Sequence, residues 1–259
     1  MKKQLLKALT LIFALALIFA LPMSAEDYKT GDMDNDGEIV SNDAIYLLRH
    51  VPLPEKYPVS QSADLNGDGK ISYVMFMGEK GNNEAIYRTE YSVKSANAKL
   101  EAAGLPALVF YDPANTDKYL LDREGKWSAQ AANDYMNTLL SSHSVSGGNM
   151  VELIICNNDG MAEGAISALN AAGYNTGAEG SVTIPVFGVD ATPAARELIK
   201  AGKMTGTINQ DGAAMAEAIR RVTENALAGR PMFDGLEEAY TIDEDSDKLR
   251  ISYSVYLGE

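Results

Sequence analysis

The residues Asp64-Leu65-Asn66-Gly67-Asp68-Gly69-Lys70-Ile71-Ser72 mark the point at which the character of this 259-residue chain changes. Oxygen-bearing side chains stand at alternate positions, Gly69 permits a sharp turn, and Ile71 can anchor the loop in a core. A self-contained EF-hand loop would need a carboxylate at its twelfth position, which here is Met75. The pattern indicates either a calcium loop that closes in another way or an Asx-rich turn without an ion.

A second acidic loop of the same type precedes this one, and it does have a carboxylate at its twelfth position. The residue types predict a further calcium site there. The surrounding segment, 26–63, is short of large apolar residues and contains three prolines near its end. We therefore predict a small calcium-stabilised module and linker in front of a larger domain. The predicted ligands of this second loop are Asp32, Asp34, Asp36, Glu38 and Asp43.

The first 25 residues have the features of a secretory signal peptide. Met1-Lys2-Lys3 is followed by an apolar run over 8–21 and by small residues near Ser24-Ala25. A short membrane anchor is the alternative, but the run is short for a bilayer span. The only cysteine is Cys156, so the chain has no disulfide framework. We expect an exported protein, either periplasmic or extracellular and associated with the cell surface.

The net charge of −14 argues against nucleic acid as a partner, because the chain would repel a phosphate backbone. The same charge suits an exported protein that binds cations. Only two histidines are present, which leaves little material for a histidine metal site or a Ser-His-Asp site. Carboxylates could be paired for glycoside hydrolysis, but they are better explained as metal and hydroxyl ligands. We therefore expect a protein that is not an enzyme.

Beyond the loop, segments with the patterns of strands and helices alternate. Strands are predicted over 71–77, 108–111, 151–156, 184–189 and 205–208, with a final pair over 240–242 and 249–253. Helices are predicted over 84–103, 128–140, 160–172, 193–202 and 211–228. This alternation predicts an α/β fold with a parallel sheet.

Polar residues follow three successive predicted strands. They are Asn157-Asn158-Asp159, Asp190 and Asn209-Gln210-Asp211. Ligands of parallel α/β sheets bind at the carboxyl ends of the strands, so we expect a ligand site on this rim. The alternative for Asn158 and Asp159 is helix capping. Trp127, the only tryptophan, is either a core residue or an apolar plate against which a sugar ring stacks.

Two glycines on a predicted helix do not form a phosphate-binding loop. Gly160 and Gly164 are four residues apart, whereas dinucleotide binding needs a different spacing. We expect both to allow close packing of the helix against the sheet.

The acidic amino-terminal part resembles a type I dockerin, the calcium-dependent module that attaches enzymes to cellulosome scaffolds through cohesins. The matching residues are Gly31-Asp32-Met33-Asp34-Asn35-Asp36-Gly37, Asp43-Ala44 and Leu47-Leu48-Arg49. A second repeat begins with Ala63-Asp64-Leu65-Asn66-Gly67, but the helix that should follow is missing. The resemblance implies an adaptor that docks on a cohesin, and the missing helix counts against strong docking.

From Asp64 almost to the carboxyl terminus, the chain resembles the galactose/glucose-binding proteins of bacterial ABC sugar import. The match includes Val74-Met75-Phe76-Met77-Gly78-Glu79, Ile155-Cys156-Asn157-Asn158-Asp159, Pro185-Val186-Phe187-Gly188-Val189-Asp190 and Gly206-Thr207-Ile208. It implies a periplasmic-binding-protein type I fold, a doubly wound parallel sheet, over 64–259. It also implies binding of D-galactose or D-glucose and delivery to a membrane permease.

The resemblance further implies calcium at the first loop. In that family a distant acid closes the loop, and its counterpart here is Glu152, which would account for Met75. The implied calcium ligands are Asp64, Asn66, Asp68, Lys70, Ser72 and Glu152.

Sugar contacts also follow from the resemblance. Trp127 would stack on the sugar, Arg88 would donate to an oxygen, and Asn158 would bond hydroxyls. Asp190 would accept two hydroxyl hydrogens. Three family positions differ: a histidine and an aspartate fall on Asn82 and Glu84, and an asparagine falls on Gln210. The implied site is Asn82, Glu84, Arg88, Trp127, Asn158, Asp190 and Gln210.

The family's amino-terminal lobe is largely missing from the resemblance, and only a late helix near 211–228 matches it. We expect that helix to expose an apolar face that the lobe would bury. Loss of the lobe would also weaken sugar binding. We further expect that the chain joins a dockerin gene to a sugar-binding-protein gene within their shared loop, by recombination or by an error of sequence assembly.

Overall fold

The structure is a computed structural model, and it describes residues 64–178, 180–243 and 248–258. The predicted signal peptide and the dockerin-like segment lie outside the described residues. The second loop, with Asp32, Asp34, Asp36, Glu38 and Asp43, lies outside them as well.

The described chain alternates strands and helices much as predicted. The strands are β1 (Ser72–Met77), β2 (Val109–Phe110), β3 (Leu120–Leu121), β4 (Leu153–Cys156), β5 (Val186–Val189), β6 (Gly206–Asn209), β7 (Thr241–Asp243), β8 (Lys248–Arg250) and β9 (Ser254–Tyr256). The helices are α1 (Asn83–Ala102), α2 (Ala129–Leu140), α3 (Asp159–Ala171), α4 (Pro193–Lys200) and α5 (Gly212–Leu227).

One seven-stranded sheet organises the described residues, in the order β2-β1-β4-β5-β6-β9. Strand β3 also pairs with β1, and every pairing is parallel except the antiparallel one between β6 and β9. The α/β prediction with a parallel sheet is confirmed. Of the predicted final pair, β7 and β8 form a separate hairpin, while β3 and β9 were not predicted.

Helices cover both faces of the sheet. Successive side chains of a strand point to opposite faces, so the partners of neighbouring β1 residues show which helix lies on which face. Tyr73 and Met77 of β1 line a cavity together with α1, whereas the ring of Phe76 packs against Tyr135 of α2. The core lies between these layers. Its largest fully buried side chains include Met75, Phe76, Leu100, Met136, Met150 and Ile154.

Side-chain caps begin the helices at the sheet edge. The side chain of Ser128 accepts a hydrogen bond from the Ala131 amide at the start of α2. Thr192 caps α4, whose first residue is Pro193, and Asp211 caps α5. For α4 and α5, the capping residue lies two or three positions after the end of a strand, so each of these helices begins close to the carboxyl edge of the sheet.

Helix α3 packs closely on α2 at Gly164. A β-carbon on Gly164 would lie 1.9 Å from the carbonyl oxygen of Ala129, so only glycine fits there. A β-carbon on Gly160 would make only ordinary contacts, because its nearest atoms would be 3.6 Å away. Gly164 therefore allows a close approach of α3 to another helix, and the prediction that both glycines pack against the sheet is wrong.

Helix α5 presents apolar side chains to solvent, as expected. Met215 is 38% exposed and Ile219 is 67% exposed, while Ala218 and Asn225 form its buried side. Among the described helices, none is long and apolar enough to cross a membrane.

Candidate functional site

Most of the predicted sugar contacts gather at the carboxyl ends of β4, β5 and β6. Arg88 of α1 is their centre, and its side chain contacts Glu84, Asp190 and Gln210. Its guanidinium also lies 5.6 Å from the centre of the Trp127 ring. We refer to Glu84, Arg88, Trp127, Asp190 and Gln210 as the rim cluster.

Arg88 is held by contacts on several sides. Its Nη1 donates to the carbonyl oxygen of Asn157 at 2.9 Å and lies 3.6 Å from Asp190 Oδ1. Its Nη2 donates to Glu84 Oε2 at 3.1 Å and to Gln210 Oε1 at 3.5 Å. The side chain is only 11% exposed, so the ion pair with Asp190 is partly shielded from water.

Trp127 is fixed as a plate on the backbone of the loop after β1. Its own backbone has a φ of 55°, which is uncommon for a residue other than glycine. A β-carbon on Gly78 would lie 2.1 Å from Cδ2 of the ring, so the ring packs directly on that glycine. The ring nitrogen donates to Glu79 Oε2 at 3.5 Å. The half-buried ring thus lies beside Arg88 and does not belong to the central core.

Asn158 and Asn82 act as helix caps, which was the alternative for Asn158. Asn158 Oδ1 accepts from the Met161 amide at 2.9 Å, and its Nδ2 donates to the Trp127 carbonyl at 3.2 Å. Asn82 Oδ1 accepts from the amides of Glu84 and Ala85. Asn158 therefore keeps one N–H for a ligand.

Asp190 lies in a strained turn after β5. Its φ is 118°, and the φ of the following Ala191 is 53°. Burial raises the pKa of the Asp190 carboxyl, the Arg88 guanidinium opposes this, and Asp159 and Glu84 add to the rise. The net direction is upward, so the site holds this carboxylate at some electrostatic cost.

Several supporting residues were not singled out from the sequence. Asn157 is buried, and its Oδ1 accepts from the Gly78 amide while its Nδ2 donates to Thr89. Glu79 accepts from both Asn82 and Trp127. The sequence predicts Asn157 on the rim but indicates no role for it. Its position next to a strand of apolar residues was the available signal.

The calcium-type loop is brought against Glu152, far along the chain. Glu152 Oε1 accepts from the Asn66 amide at 3.0 Å, and Oε2 accepts from the Ser72 amide at 2.8 Å. The Ser72 hydroxyl donates to the same oxygen at 2.8 Å. Asp64 accepts from the amides that follow it in the loop, and the Lys70 amide donates to Asp68. The predicted ligand residues thus share one place in the fold.

The donor chemistry of this loop fits calcium. Asn66 Oδ1 is buried and has no hydrogen-bond partner within the described ranges, while Asn66 Nδ2 donates to the Met150 carbonyl. Among the described residues, no group of three or more His, Cys, Asp or Glu side chains is close enough to hold a metal ion by itself. Amide oxygens would therefore have to contribute. Burial raises the pKa of Glu152, hydrogen bonds from Ser72 and Asn66 oppose this, and the Asp64 charge raises it further.

A family model for the periplasmic binding protein domain matches residues 61–231. The chain belongs to the periplasmic binding protein family. This agrees with the α/β architecture and with a ligand site at the carboxyl ends of the strands, and the fold is of the family's type I.

Curated relatives of this periplasmic binding protein carry names that refer to sugars. It is 34% identical over 189 residues to the D-galactose/methyl-galactoside binding periplasmic protein of Haemophilus influenzae, covering 73% of this chain and 50% of that one. It is 27% identical over 159 residues to the D-allose-binding periplasmic protein of Escherichia coli, covering 61% and 46%. The chain thus spans about half the length of the curated relatives it matches.

Solved structures support the fold. A solute-binding protein of Bacillus halodurans with bound myo-inositol matches with a TM-score of 0.51 at 22% identity, over 90% of this chain and 59% of that one. One of Clostridium phytofermentans with bound β-D-glucose matches with a TM-score of 0.52 at 17% identity, over 87% and 66%.

Proposed function

We propose that this chain binds a monosaccharide, D-galactose or D-glucose, as the exported component that supplies the membrane permease of an ABC importer. The observation that supports this most is the Arg88–Asp190 pair, whose charged groups lie 3.6 Å apart at the rim of the sheet beside Trp127. A strong donor, a strong acceptor and an apolar plate are the three groups that a hexose can use. The 34% identity to a galactose-binding relative points in the same direction.

Each member of the rim cluster would have a separate task in recognition. The Asp190 carboxylate would accept hydrogens from two neighbouring sugar hydroxyls, and Arg88 would donate to a ring or hydroxyl oxygen. Trp127 would cover the apolar face of the pyranose. Asn158 would donate its remaining N–H to a hydroxyl. Asn82, Glu84 and Gln210 would select among hexoses, since their reach differs from that of the family residues they replace.

The sugar affinity that the described residues supply by themselves is expected to be modest, because the matched part of the chain spans about half the length of the curated relatives. A net hydrogen bond contributes about 1 kcal/mol, and 1.4 kcal/mol corresponds to a tenfold change in affinity. A site that makes only half of the hydrogen bonds to the sugar would therefore have an affinity lower by several powers of ten. We expect dissociation constants of about 1 mM rather than about 1 μM.

Calcium would stabilise the fold and would not contact the sugar. The ion would be held by Glu152 together with the loop residues Asp64, Asn66, Asp68 and Ser72. Lys70 would contribute its backbone carbonyl oxygen from the same loop. The ion would neutralise charge that the loop and Glu152 concentrate in one place, and it would tie the entry of β1 to that of β4. The buried amide oxygen of Asn66, which has no hydrogen-bond partner among the described residues, supports this assignment.

Calorimetry on the full-length mature chain tests the sugar proposal. D-galactose and D-glucose are titrated with and without calcium, and Asp190→Asn and Arg88→Lys are compared with Asp134→Asn on the exposed side of α2. We expect binding heat for the wild type, a loss of roughly tenfold or more in the two site variants, and no change in the control. Equal affinities in Asp190→Asn and the wild type would contradict the proposal. Heat with a cohesin alone would favour the adaptor, and product formation would favour an enzyme.

A further inference from the structure

The turn that contains Asp190 is strained at two consecutive positions. Asp190 has a φ of 118° and Ala191 a φ of 53°, and neither is a glycine. Side chains with a β-carbon rarely adopt such backbone conformations, and they persist only where surrounding contacts enforce them. Contacts on two sides of the turn do so here.

Asp159, the first residue of α3, contacts the turn on one side. The carboxylate is fully buried, and Oδ2 accepts from the Thr192 amide at 2.7 Å. Oδ1 accepts from the Thr207 hydroxyl at 2.6 Å. That hydroxyl oxygen in turn accepts from the Ala191 amide at 3.4 Å. A β-carbon on Gly188 would lie 2.3 Å from Asp159 Oδ1, so the carboxylate also lies directly against β5.

Arg196 holds the turn from the other side. Its Nε donates to the Ala191 carbonyl at 2.9 Å, and its Nη2 donates to Asn209 Oδ1 at 3.3 Å. The guanidinium lies 4.2 Å from the centre of the Tyr256 ring, on β9. The backbone of Ala191 is therefore bound through its amide to the Asp159–Thr207 pair and through its carbonyl to Arg196.

We infer that Asp159 is a positioning residue for the ligand site: with Thr207 and Arg196 it holds the strained turn that aims Asp190 at Arg88. The inference rests on the proposed function only in so far as Asp190 binds the sugar. Asp159 itself contacts Thr192 and Thr207 rather than the rim cluster. Helix capping, the predicted alternative for this residue, belongs instead to Asn158.

The first test uses the full-length chain without any ligand. Asp159→Asn keeps the size of the side chain but removes one of the two acceptors, and hydrogen–deuterium exchange of the amides of 190–192 is measured. We expect exchange to become roughly tenfold faster there. Glu163→Gln is the matched control, because it lies on the same helix and accepts from the Thr192 hydroxyl, not from the turn backbone. Unchanged exchange in Asp159→Asn would overturn the inference, whether or not the chain binds sugar.

The second test separates positioning from general stability by a rescue. Ala191→Gly is added to Asp159→Asn, since glycine adopts a positive φ without strain. At a temperature well below every melting transition, galactose binding should weaken about tenfold in Asp159→Asn and return to within about threefold of the wild type in the double variant. A double variant that binds as weakly as Asp159→Asn would contradict the positioning role. Absence of sugar binding in the wild type would remove the proposed function and leave the exchange test to decide.

Discussion

The ring of Trp127 packs directly on the backbone of Gly78. A β-carbon at that glycine would lie within 2.6 Å of three ring atoms, which no side chain allows. Gly78 follows β1, and Trp127 precedes α2, so this one contact sets the position of the only tryptophan relative to Arg88.

Gly78→Ala should therefore displace the Trp127 ring. We expect the fluorescence emission of the single tryptophan to shift toward that of a more solvated indole, and sugar affinity to fall about tenfold or more as the stacking plate moves. Emission spectra of the two proteins, recorded with and without galactose, check this. Gly212→Ala is the control, because nothing lies within 4 Å of the added carbon. Identical spectra for Gly78→Ala and the wild type would show that the ring is not held there.

Glu152→Gln should remove most of the effect of calcium on stability. The variant keeps the shape of the side chain but loses the charge that faces the loop, whereas the wild type should melt at a higher temperature with calcium than with a chelator. Thermal melting under both conditions measures this. Met75→Leu is the control, because Met75 is fully buried and should leave the calcium effect intact. If calcium leaves the melting temperature of the wild type unchanged, the loop is an Asx-rich turn only.

Asp122 should contribute stability that disappears in acid. Burial raises the pKa of this carboxyl, but hydrogen bonds from the Ser128 amide, the Glu124 amide and the Ser128 hydroxyl outweigh that effect and lower it below its ordinary value of 3.8. Because the folded-state pKa is depressed, the contribution is present above the ordinary value and is lost as the pH falls through the folded-state pKa.

Asp122→Asn tests this assignment. The variant should be less stable by about 1–2 kcal/mol at neutral pH, and the difference should shrink as the pH falls below the ordinary pKa of 3.8. Urea denaturation across that range measures the difference, with exposed Asp134→Asn as the control. A difference that stays constant with pH would mean that the charge of Asp122 does not contribute.

Two glycines of α3 should respond in opposite ways to alanine. Gly164→Ala should destabilise the protein by about 1–3 kcal/mol, because the added carbon would overlap the Ala129 carbonyl. Gly160→Ala should be neutral or stabilising by up to about 1 kcal/mol, since ordinary contact distances remain and alanine favours the helix. Urea midpoints of the two variants decide this, and each serves as the control of the other. Equal losses at both positions would contradict the packing described for α3.

The regular alternation of apolar and capped segments made the central fold predictable. Strands β1, β4 and β5 consist mainly of apolar residues in the sheet interior, and their short lengths favour strand over helix. The short strand β3 and the edge strand β9 depend on tertiary pairing. β3 has only two residues, both half-buried, so no local sequence pattern predicts it.

The rim cluster was predictable for a topological reason, and its support was not. Asp190 and Gln210 each follow a strand, and parallel strands bring their carboxyl ends to one edge. The contacts that aim them, such as the Thr207 hydroxyl on Asp159, join elements far apart in sequence. Asn158 illustrates the limit, because the same residue type suits a cap and a ligand, and here the cap takes its carbonyl oxygen.

Strand β9 closes one side of the sheet by running antiparallel along β6. Without it, the outer backbone amides and carbonyls of β6 would be free to pair with another molecule. Removal of the carboxyl-terminal tail by a protease would therefore leave β6 as an unpaired edge strand beside the ligand site. Preparations of the protein should be kept intact at that end to avoid self-association.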